Sequence, residues 1–276
     1  NQSAGVDSVV ATLFASEAAA LDAVYAPGDD GDDPSYALRL HGLVADTDAS
    51  SDIPYFLSAN HCISRGKDAR SLENFFQFKA TCGTSGSCDD IISTRNNHPQ
   101  DLRTLGASIV HTASATDHTL FELNEPAPSG SAYLGWDATP VAFSDSVQLH
   151  RISHPGGAPQ AYSAHAVDTS AGTCRSWPRG DRIYSTDTYG ATEGGSSGSP
   201  VVNGAGQIVG QLSGACGTNV NDTCDSINNA TVDGAFAAYF AEIANILDPA
   251  GGGGGGGGGG DGLPVGASCT VDSDCA

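Results

Sequence analysis

Short apolar runs, separated by clusters of Gly, Pro, Asn and Asp, dominate the middle of this chain. Runs of about four to eight residues with such boundaries are typical of β-strands. The proline-rich segment Pro126–Ser131 divides the runs into two sets of about six. This pattern predicts an all-β fold of two antiparallel six-stranded β-barrels. The runs that carry it are Tyr36–Leu40, Pro54–Ser58, Phe75–Lys79, Ser108–His111, Thr119–Leu123, Ser146–His150, Ala161–Val167, Arg182–Ser185, Pro200–Val202 and Gln207–Leu212.

Two segments near the ends of this region have helical spacing instead. Residues 8–25 are rich in alanine and carry apolar residues at helical intervals, which predicts a short helix or a packed arm. Asp233–Leu247 shows the same spacing and is followed by Pro249. Because proline cannot continue a helix, this segment predicts a C-terminal helix.

The composition predicts four parts of the chain. Residues 1–35 form an N-terminal arm, 36–130 the first barrel, and 131–249 the second barrel with the C-terminal helix. Residues 250–276 form a tail, whose ten consecutive glycines at 251–260 are expected to act as a flexible tether before a small cystine-containing end.

The charge of the chain excludes some classes of partner. A formal net charge of −21 opposes binding to nucleic acid and to anionic membrane surfaces. The acidic turn Asp29–Asp33 could hold calcium, but it lacks the distal Glu of a known calcium loop, so we expect a solvated loop. Apart from His61, the histidines lack the spacing of metal ligands, and we expect neither a metal nor another cofactor.

Eight cysteines, without a metal-type CxxC pair or a transmembrane run, predict a secreted protein with disulfides. No signal peptide is present, so we expect a mature form. The pairing cannot be deduced from the sequence. Short loops are plausible between Cys82 and Cys88, Cys216 and Cys224, and Cys269 and Cys275.

Three segments carry the residue types of an acyl-transfer site. The glycine-rich turn Gly194–Pro200 contains serines, His61 follows an apolar run, and Asp117 opens another. A serine hydroxyl needs a base to take its proton, and an imidazole oriented by a carboxylate supplies that base. The three residues come in the chain order His, Asp, Ser, which is the order in chymotrypsin-type peptidases.

The chain resembles the trypsin-fold serine endopeptidases, and among them most closely the bacterial lysyl endopeptidases. The resemblance covers roughly residues 36–249 and implies a chymotrypsin-like fold. The segments that carry it are Phe56–Cys62, Ala115–Asn124, Gly135–Asp137, His154–Pro155, Glu193–Pro200 and Val209–Leu212.

The resemblance implies a role for each site residue. Ser197 is the nucleophile, with Ser196 and Ser199 as alternatives in the same turn. His61 is the base and then the acid, and Asp117 orients it. The backbone N–H groups of Gly195 and Ser197 form the oxyanion hole.

The resemblance also bears on substrate specificity. Trypsin carries an aspartate six residues before its nucleophile, where this chain has Ala191. Lysyl endopeptidases use an aspartate on a later loop, for which Asp225 is the best match and Asp222 a competitor. Trp177 matches the tryptophan of the family's pocket. Ser213 stands where the lysyl enzymes carry histidine, and its hydroxyl is expected to bond to the catalytic aspartate.

Two departures from trypsin-like chains are informative. Trypsin-like chains pair the cysteine after the catalytic histidine with an earlier one, yet no cysteine precedes Cys62 here. Its partner stays open, with Cys174 as a candidate. Ser196 replaces the aspartate that pairs with a new N-terminus in many relatives, so activity is expected not to depend on a buried N-terminal ammonium.

Together these features predict a monomeric, secreted serine endopeptidase that cuts polypeptides after Lys and also, as an open option, after Arg. One alternative keeps the same three residues with a non-basic specificity. The other is a pseudopeptidase that binds rather than cuts, tethered to a surface by its glycines.

Overall fold

The computed structural model describes the chain in five ranges, which are 21–26, 37–48, 50–80, 91–174 and 177–249. Residues 8–20, the acidic turn Asp29–Asp33, Cys82, Cys88 and the tail from residue 250 lie outside the described residues. No helix in the described ranges is both long and apolar enough to cross a membrane.

Seven strands of the first half form one antiparallel sheet, in the order β5-β4-β1-β2-β3-β7-β6. They are β1 (Leu21–Ala26), β2 (Ala37–Val44), β3 (Tyr55–Ser58), β4 (Glu73–Phe76), β5 (Arg103–Leu105), β6 (Ala107–Ala113) and β7 (His118–Leu123). The helices α1 (Gly66–Arg70) and α2 (Ile91–Asn96) and a 3₁₀ turn at Gln100–Leu102 lie in the connections.

The two edge strands of this sheet, β5 and β6, are separated in sequence only by Gly106. The ends of these two edge strands therefore meet at that residue. The described strand pairings do not close this seven-stranded sheet, so the six-stranded barrel predicted for the first half is not shown. Gly106 has a φ of +71°, and a Cβ there would lie 3.1 Å from the carbonyl oxygen of Arg70. Only glycine fits this corner without strain.

The sequence left a short helix or a packed arm open for residues 8–25, and strand β1 excludes the helix for residues 21–25, which are extended. The strand pairs with β2 along its whole length and with β4 on the other side. Pairing on both sides outweighs a helical spacing of apolar residues, because helix propensity is a weak preference beside tertiary contacts. Residues 8–20, the rest of that prediction, lie outside the described part.

The second half forms a closed antiparallel barrel of six strands, which confirms the barrel expected there. Its strand order is β10-β13-β12-β11-β8-β9. The strands are β8 (Gln148–Ser153), β9 (Ala161–Val167), β10 (Arg182–Tyr189), β11 (Pro200–Val202), β12 (Ile208–Gly217) and β13 (Asn229–Ala235). A 3₁₀ turn at Pro155–Gly157 follows β8.

The C-terminal helix α3 spans Phe236–Leu247, three residues shorter at its start than predicted. Asp233–Ala235 belongs instead to β13, in which Ala230–Ala235 is buried on both faces. A strand buried on both faces lacks the alternation of polar and apolar residues that identifies a strand in sequence.

Helix α3 packs its buried face into a core that both halves share. Phe236, Tyr239, Ile243 and Leu247 on the helix are buried. The residues that join them come from the first half (Val44, Tyr55, Leu57, Leu120), from the connection (Leu134, Trp136) and from the barrel (Ile152, Val202, Ile208). Burial of such side chains is worth about 1.5–3 kcal/mol each, so this core holds the two halves in one relative position.

One disulfide is present among the described cysteines, between Cys174 and Cys216. It contradicts the predicted loop between Cys216 and Cys224, and it excludes Cys174 as the partner of Cys62. The bond crosses 42 residues and ties the loop after β9 to strand β12. Sequence spacing suggested a short loop because it carries no information on which strands become neighbours.

Candidate active site

His61 and Asp117 meet because β3 and β7 are neighbours in the sheet. Ser58 at the end of β3 is paired with Thr119 near the start of β7, so the turns beside these two residues lie together. His61 Nδ1 lies 2.9 Å from Asp117 Oδ2 and 3.1 Å from Oδ1. The backbone N–H of His61 also donates to Asp117 Oδ1 at 2.9 Å.

The backbone of Asp117 is in the left-handed region, with a φ of +58°. Few non-glycine residues adopt this conformation without cause, and it is often found at functional sites. Here it turns the chain sharply before β7 and lets one carboxylate receive two N–H groups of His61.

The contact between His61 and Asp117 shifts the pKa values of both residues. The hydrogen bond to Asp117, followed by the contact with Cys62, raises the pKa of His61 despite its partial burial. Burial of Asp117 acts to raise the pKa of its carboxyl, but the hydrogen bonds and the charge of His61 outweigh burial and lower that pKa. Asp117 is therefore ionised at neutral pH, and Nδ1 of His61 carries the proton that Asp117 accepts, which leaves Nε2 to exchange protons.

The glycine-rich turn between β10 and β11 has a conformation that only glycine permits at two points. Gly195 and Gly198 have φ values of +100° and +83°. A Cβ at Gly195 would lie 2.9 Å from the backbone nitrogen of Gly157 and from the carbonyl oxygen of His154. The turn is thus packed directly on the 3₁₀ turn after β8, and Gly156 N donates to Gly194 O at 2.7 Å.

The three serines of this turn have different surroundings. Ser196 and Ser199 are fully buried, and Arg151 Nη1 donates to Ser199 Oγ at 2.9 Å. Arg151 is itself fully buried and paired with Asp233. Ser197 is half-buried and lines an open cavity. Of the three hydroxyls, that of Ser197 is the one in position to meet a ligand in this cavity.

Strand β12 forms hydrogen bonds with both the serine turn and the segment that carries Asp117, so it holds the two parts of the site side by side. Gly198 N donates to Leu212 O, and Leu212 N donates to Ser199 O, both at 2.9 Å. The preceding residue, Gln211, donates through Nε2 to the carbonyl oxygen of Asp117 at 3.0 Å. One strand therefore contacts both parts of the site.

The hydrogen bond between Ser197 Oγ and His61 Nε2 is not made among the described residues. His61 Nε2 instead lies 3.6 Å from Cys62 Sγ. Catalytic hydrogen bonds are often long before substrate binds, so this arrangement is compatible with a base that turns toward the serine. The backbone N–H groups of Gly195 and Ser197 donate to no described atom, which leaves both available to an external acceptor.

Ser213 lies beside Asp117, but its hydroxyl does not make the well-formed hydrogen bond to Asp117 that the resemblance implied. Its side chain contributes to the lowered pKa of Asp117. However, Ser213 Oγ is buried and completes no hydrogen bond of ordinary geometry with described atoms.

The cavity beside Ser197 carries more acidic groups than the sequence reasoning identified. Asp187, Glu193, Asp222 and Asp225 all line it. Ala191, which stands where trypsin carries its pocket aspartate, is not among the residues that line the cavity.

Asp225, the aspartate predicted to bind the substrate, is tied into its own loop. Its carboxylate accepts 2.8 Å hydrogen bonds from Asn219 Nδ2 and Asn228 Nδ2. The hydrogen bond from Asn219, followed by that from Asn228, lowers its pKa. Asp222 is exposed and accepts the backbone N–H of Cys224 at 3.2 Å.

Asp187, like Glu193, was not proposed for this cavity from the sequence, and Asp187 is the more buried of the two. Its side chain is 12% exposed and accepts hydrogen bonds from Thr231 Oγ1 and His165 Nδ1, each at 2.7 Å. Burial acts to raise its pKa, but the hydrogen bond and charge of His165 lower it, so the carboxylate is ionised. Asp187 could have been identified only from its pairing with His165 across β10 and β9, and that pairing cannot be recognised without the strand register.

Trp177 stands behind the cavity wall rather than in it. It packs against a buried cluster that contains Tyr184 and Val232, and it lies next to Gly214, a lining residue. A Cβ at Gly214 would be 3.6 Å from the Trp177 ring. Trp177 therefore shapes the wall from outside.

A family comparison matches most of the chain. The sequence model described as "Lysyl endopeptidase, C-terminal domain" matches residues 41–228. Among curated proteins, the lysyl endopeptidase of Pseudomonas aeruginosa is 30% identical over 209 residues, which is 70% of this chain. The aligned part is 40% of that relative's length, so this chain spans about two fifths of it.

Solved structures of low identity share the fold. The HtrA-type protease AlgW with tripeptide has a TM-score of 0.57 at 14% identity, covering 87% of this chain and 64% of that one. The active form of the Rv3671c protease from M. tuberculosis has a TM-score of 0.54 at 12% identity, covering 85% of this chain and 83% of that one. These matches confirm the chymotrypsin-like fold that the sequence predicted.

Proposed function

Since the chain belongs to the lysyl endopeptidase family of serine proteases, we propose that it hydrolyses peptide bonds by an acyl-enzyme mechanism that uses Ser197, His61 and Asp117. The observation that carries this proposal is the ionised Asp117 carboxylate, which holds both the ring and the backbone N–H of His61. Such a carboxylate orients the imidazole and stabilises its cationic form.

The reaction would proceed in two halves. Ser197 Oγ attacks the scissile carbonyl while His61 Nε2 takes its proton, and the oxyanion is bound by the N–H groups of Gly195 and Ser197. His61 then gives the proton to the leaving amine, which breaks the peptide bond and leaves an acyl-serine. Water, deprotonated by His61, hydrolyses the ester and restores Ser197.

The proposed specificity is for lysine, with arginine as a further substrate. Four carboxylates line the cavity beside Ser197, and a cationic side chain would be attracted to them. Asp187 and Asp225 are the two candidates for direct contact, because each is fixed by hydrogen bonds. The acidic lining argues against a pocket for acidic residues.

We further propose a secreted, monomeric enzyme that acts on polypeptides and has no nucleic-acid or membrane partner. The Cys174–Cys216 disulfide supports an oxidising compartment, since such bonds persist outside the cytosol. The division into an arm at 1–35, barrels at 36–130 and 131–249 and a tail at 250–276 stays a prediction.

Two measurements test the function. A fluorophosphonate probe should label the wild-type chain at Ser197 and leave the Ser197→Ala variant unlabelled. Absence of labelling in a folded chain would favour a binding protein without catalysis. Digestion of a denatured protein mixture, with fragment ends identified by mass spectrometry, should give C-terminal Lys and some Arg. Ends of another residue type would overturn the specificity and leave the mechanism intact.

A further inference from the structure

Three side chains with metal-ligating atoms lie together near the turn that carries Asp117. His111 is on β6, His118 on β7 and Glu242 on α3. His111 Nδ1 and His118 Nε2 are 3.0 Å apart. Glu242 Oε2 lies 3.9 Å from His118 Nε2 and 3.8 Å from His111 Nε2. One ligand atom from each residue lies within 4.8 Å of the other two.

The strand pairing explains why two histidines seven residues apart meet. His118 is paired with Ala113, and His111 is two residues from Ala113 on the same strand. Residues two apart share a face of a sheet, so the two rings are diagonal neighbours. The β6–β7 register also shifts between Ile109 and His111, and such irregularities redirect side chains.

The ring of His118 is held in position by its neighbours. Its Nδ1 lies 2.8 Å from Thr116 Oγ1, and its face stacks on Tyr239 with ring centroids 3.9 Å apart. When Nδ1–H donates to Thr116, the Nε2 lone pair points toward His111 and Glu242. An outer partner of this kind, which fixes the tautomer and ring direction, accompanies almost every metal-bound histidine.

We propose that His111, His118 and Glu242 bind a divalent transition-metal ion, with zinc as the best match. Two imidazoles and one carboxylate form a donor set that suits zinc, and water can take the fourth position. With Nδ1 as the ligand atom of His111, its 3.0 Å distance from His118 Nε2 is close to the roughly 3.4 Å that separates two ligands of a tetrahedral zinc ion. The ion would replace the hydrogen bond that joins these two nitrogens. This site departs from the expectation of no metal, which considered the histidines by sequence spacing alone.

An ion can reach the site from solvent. The side chains of Glu242 and His111 are 46% and 31% exposed, whereas His118 is fully buried. The buried histidine gives a fixed ligand, and the two accessible ligands can adjust around the ion.

The bound ion would link the β6–β7 hairpin to helix α3 and stabilise the fold, and it would take no part in peptide hydrolysis. Its ligands come from the hairpin β6–β7, which carries Asp117 in its turn, and from α3, which packs into the core shared by both halves. Binding to the folded chain alone would stabilise it in proportion to the logarithm of the metal concentration. The inference does not depend on the proposed peptidase function.

The test uses zinc binding by the full chain carrying Ser197→Ala, which prevents self-digestion during the measurement. After treatment with chelator and its removal, calorimetric titration with Zn²⁺ should show one site. Zinc at about 100 times its Kd should raise the Tm by about 5 °C. Co²⁺ in place of zinc should give the visible absorption bands of a four-coordinate ion.

Single substitutions at the accessible ligands identify the site. His111→Ala and Glu242→Gln should each weaken zinc binding by at least about tenfold, and each should remove most of the Tm increase. Both positions are accessible, so the metal-free variants are expected to unfold near the metal-free parent, and that measurement establishes that they are folded.

Two matched variants serve as controls. Glu122→Gln changes another exposed carboxylate on β7, and His150→Ala changes a histidine of the barrel that contacts Tyr162. Both should bind zinc like the parent. The proposal is overturned if the parent shows no saturable zinc binding. It is also overturned if His111→Ala and Glu242→Gln bind zinc as tightly as the two controls, since the metal would then lie elsewhere.

Discussion

The carboxylate of Asp117 accepts both the ring Nδ1–H and the backbone N–H of His61, so the two residues are fixed at two points. A single hydrogen bond would allow the imidazole to rotate about it. The second bond fixes the backbone from which the ring projects. This double contact explains why Asp117 occupies a left-handed conformation, because the strained turn is what presents its carboxylate to both groups.

Replacement Asp117→Asn tests the orienting role. The asparagine amide would keep the shape of the site but would favour the wrong tautomer of His61, so kcat should fall by about 10⁴-fold. Steady-state kinetics on a lysyl ester or amide measure this loss. Asp48→Asn, in an exposed loop, is the control and should retain full activity. A loss of less than tenfold in Asp117→Asn would remove Asp117 from the mechanism.

The pH dependence follows from the raised pKa of His61. The base must be unprotonated, so kcat/KM should rise as pH passes through that pKa. Since the Asp117 hydrogen bond and the Cys62 contact raise the pKa above the ordinary value of 6.5, the rise should occur at higher pH than for a free histidine. An enzyme with full activity at pH 6 would contradict this reasoning.

Cys62→Ala isolates the contribution of the thiol to that profile. Cys62 Sγ lies 3.6 Å from His61 Nε2 and acts to raise the pKa of His61. Its removal should move the acid limb of the kcat/KM profile to lower pH, with little change in the plateau. A merely structural role for Cys62 would lower the plateau and leave the limb where it is.

The sequence predicted the parts of the candidate site that local chemistry encodes. Gly195 is required by a positive φ and by close backbone neighbours, and such a turn is recognisable from its glycines alone. His61 and Asp117 each follow or open a strand with distinctive neighbours. These residues can be identified from the sequence alone, and the fold brings them close together.

What the sequence did not predict depends on strand register. Asp187 meets His165 through pairing of β9 with β10, and Cys174 meets Cys216 through the path of the loop before β10. The helical spacing of residues 8–25 did not indicate strand β1, because the pairing of this strand with β2 and β4 cannot be recognised from its own residues. Contacts between residues distant in the chain leave no local pattern, and single-sequence reasoning has no access to them.

Gly195→Ala tests the oxyanion hole. The new Cβ would meet the backbone of Gly157 and His154 at 2.9 Å in a conformation that alanine resists, so the turn must shift and its N–H must turn away. Losing one such donor lowers kcat by about 10²–10³-fold. Gly204→Ala is the matched control, because nothing lies within 4 Å of its Cβ position, and it should be fully active. Equal activity in both variants would exclude Gly195 from the hole.

The last prediction separates the two carboxylates that are proposed to bind lysine in the cavity beside Ser197. Asp187 is mostly buried at the cavity wall, whereas Asp225 is held by two asparagines in its own loop. A carboxylate that binds the lysine ammonium should, when changed to the amide, lower kcat/KM for a lysyl substrate by about 100-fold. It should leave the rate with a leucyl substrate nearly unchanged, whereas a structural carboxylate would lower both rates together.

Asp187→Asn, Asp225→Asn and Asp222→Asn, which changes the competing aspartate on the same wall, are therefore compared by the ratio of lysyl to leucyl kcat/KM. Asp48→Asn, in an exposed loop, is the control and should leave the ratio unchanged. We expect the ratio to collapse in Asp187→Asn, because burial strengthens a charge contact that solvent would otherwise screen. If the ratio falls in Asp225→Asn alone, Asp225, which the sequence favoured, is the residue that binds the lysine side chain. An unchanged ratio in all three variants would mean that the acidic lining does not select the substrate.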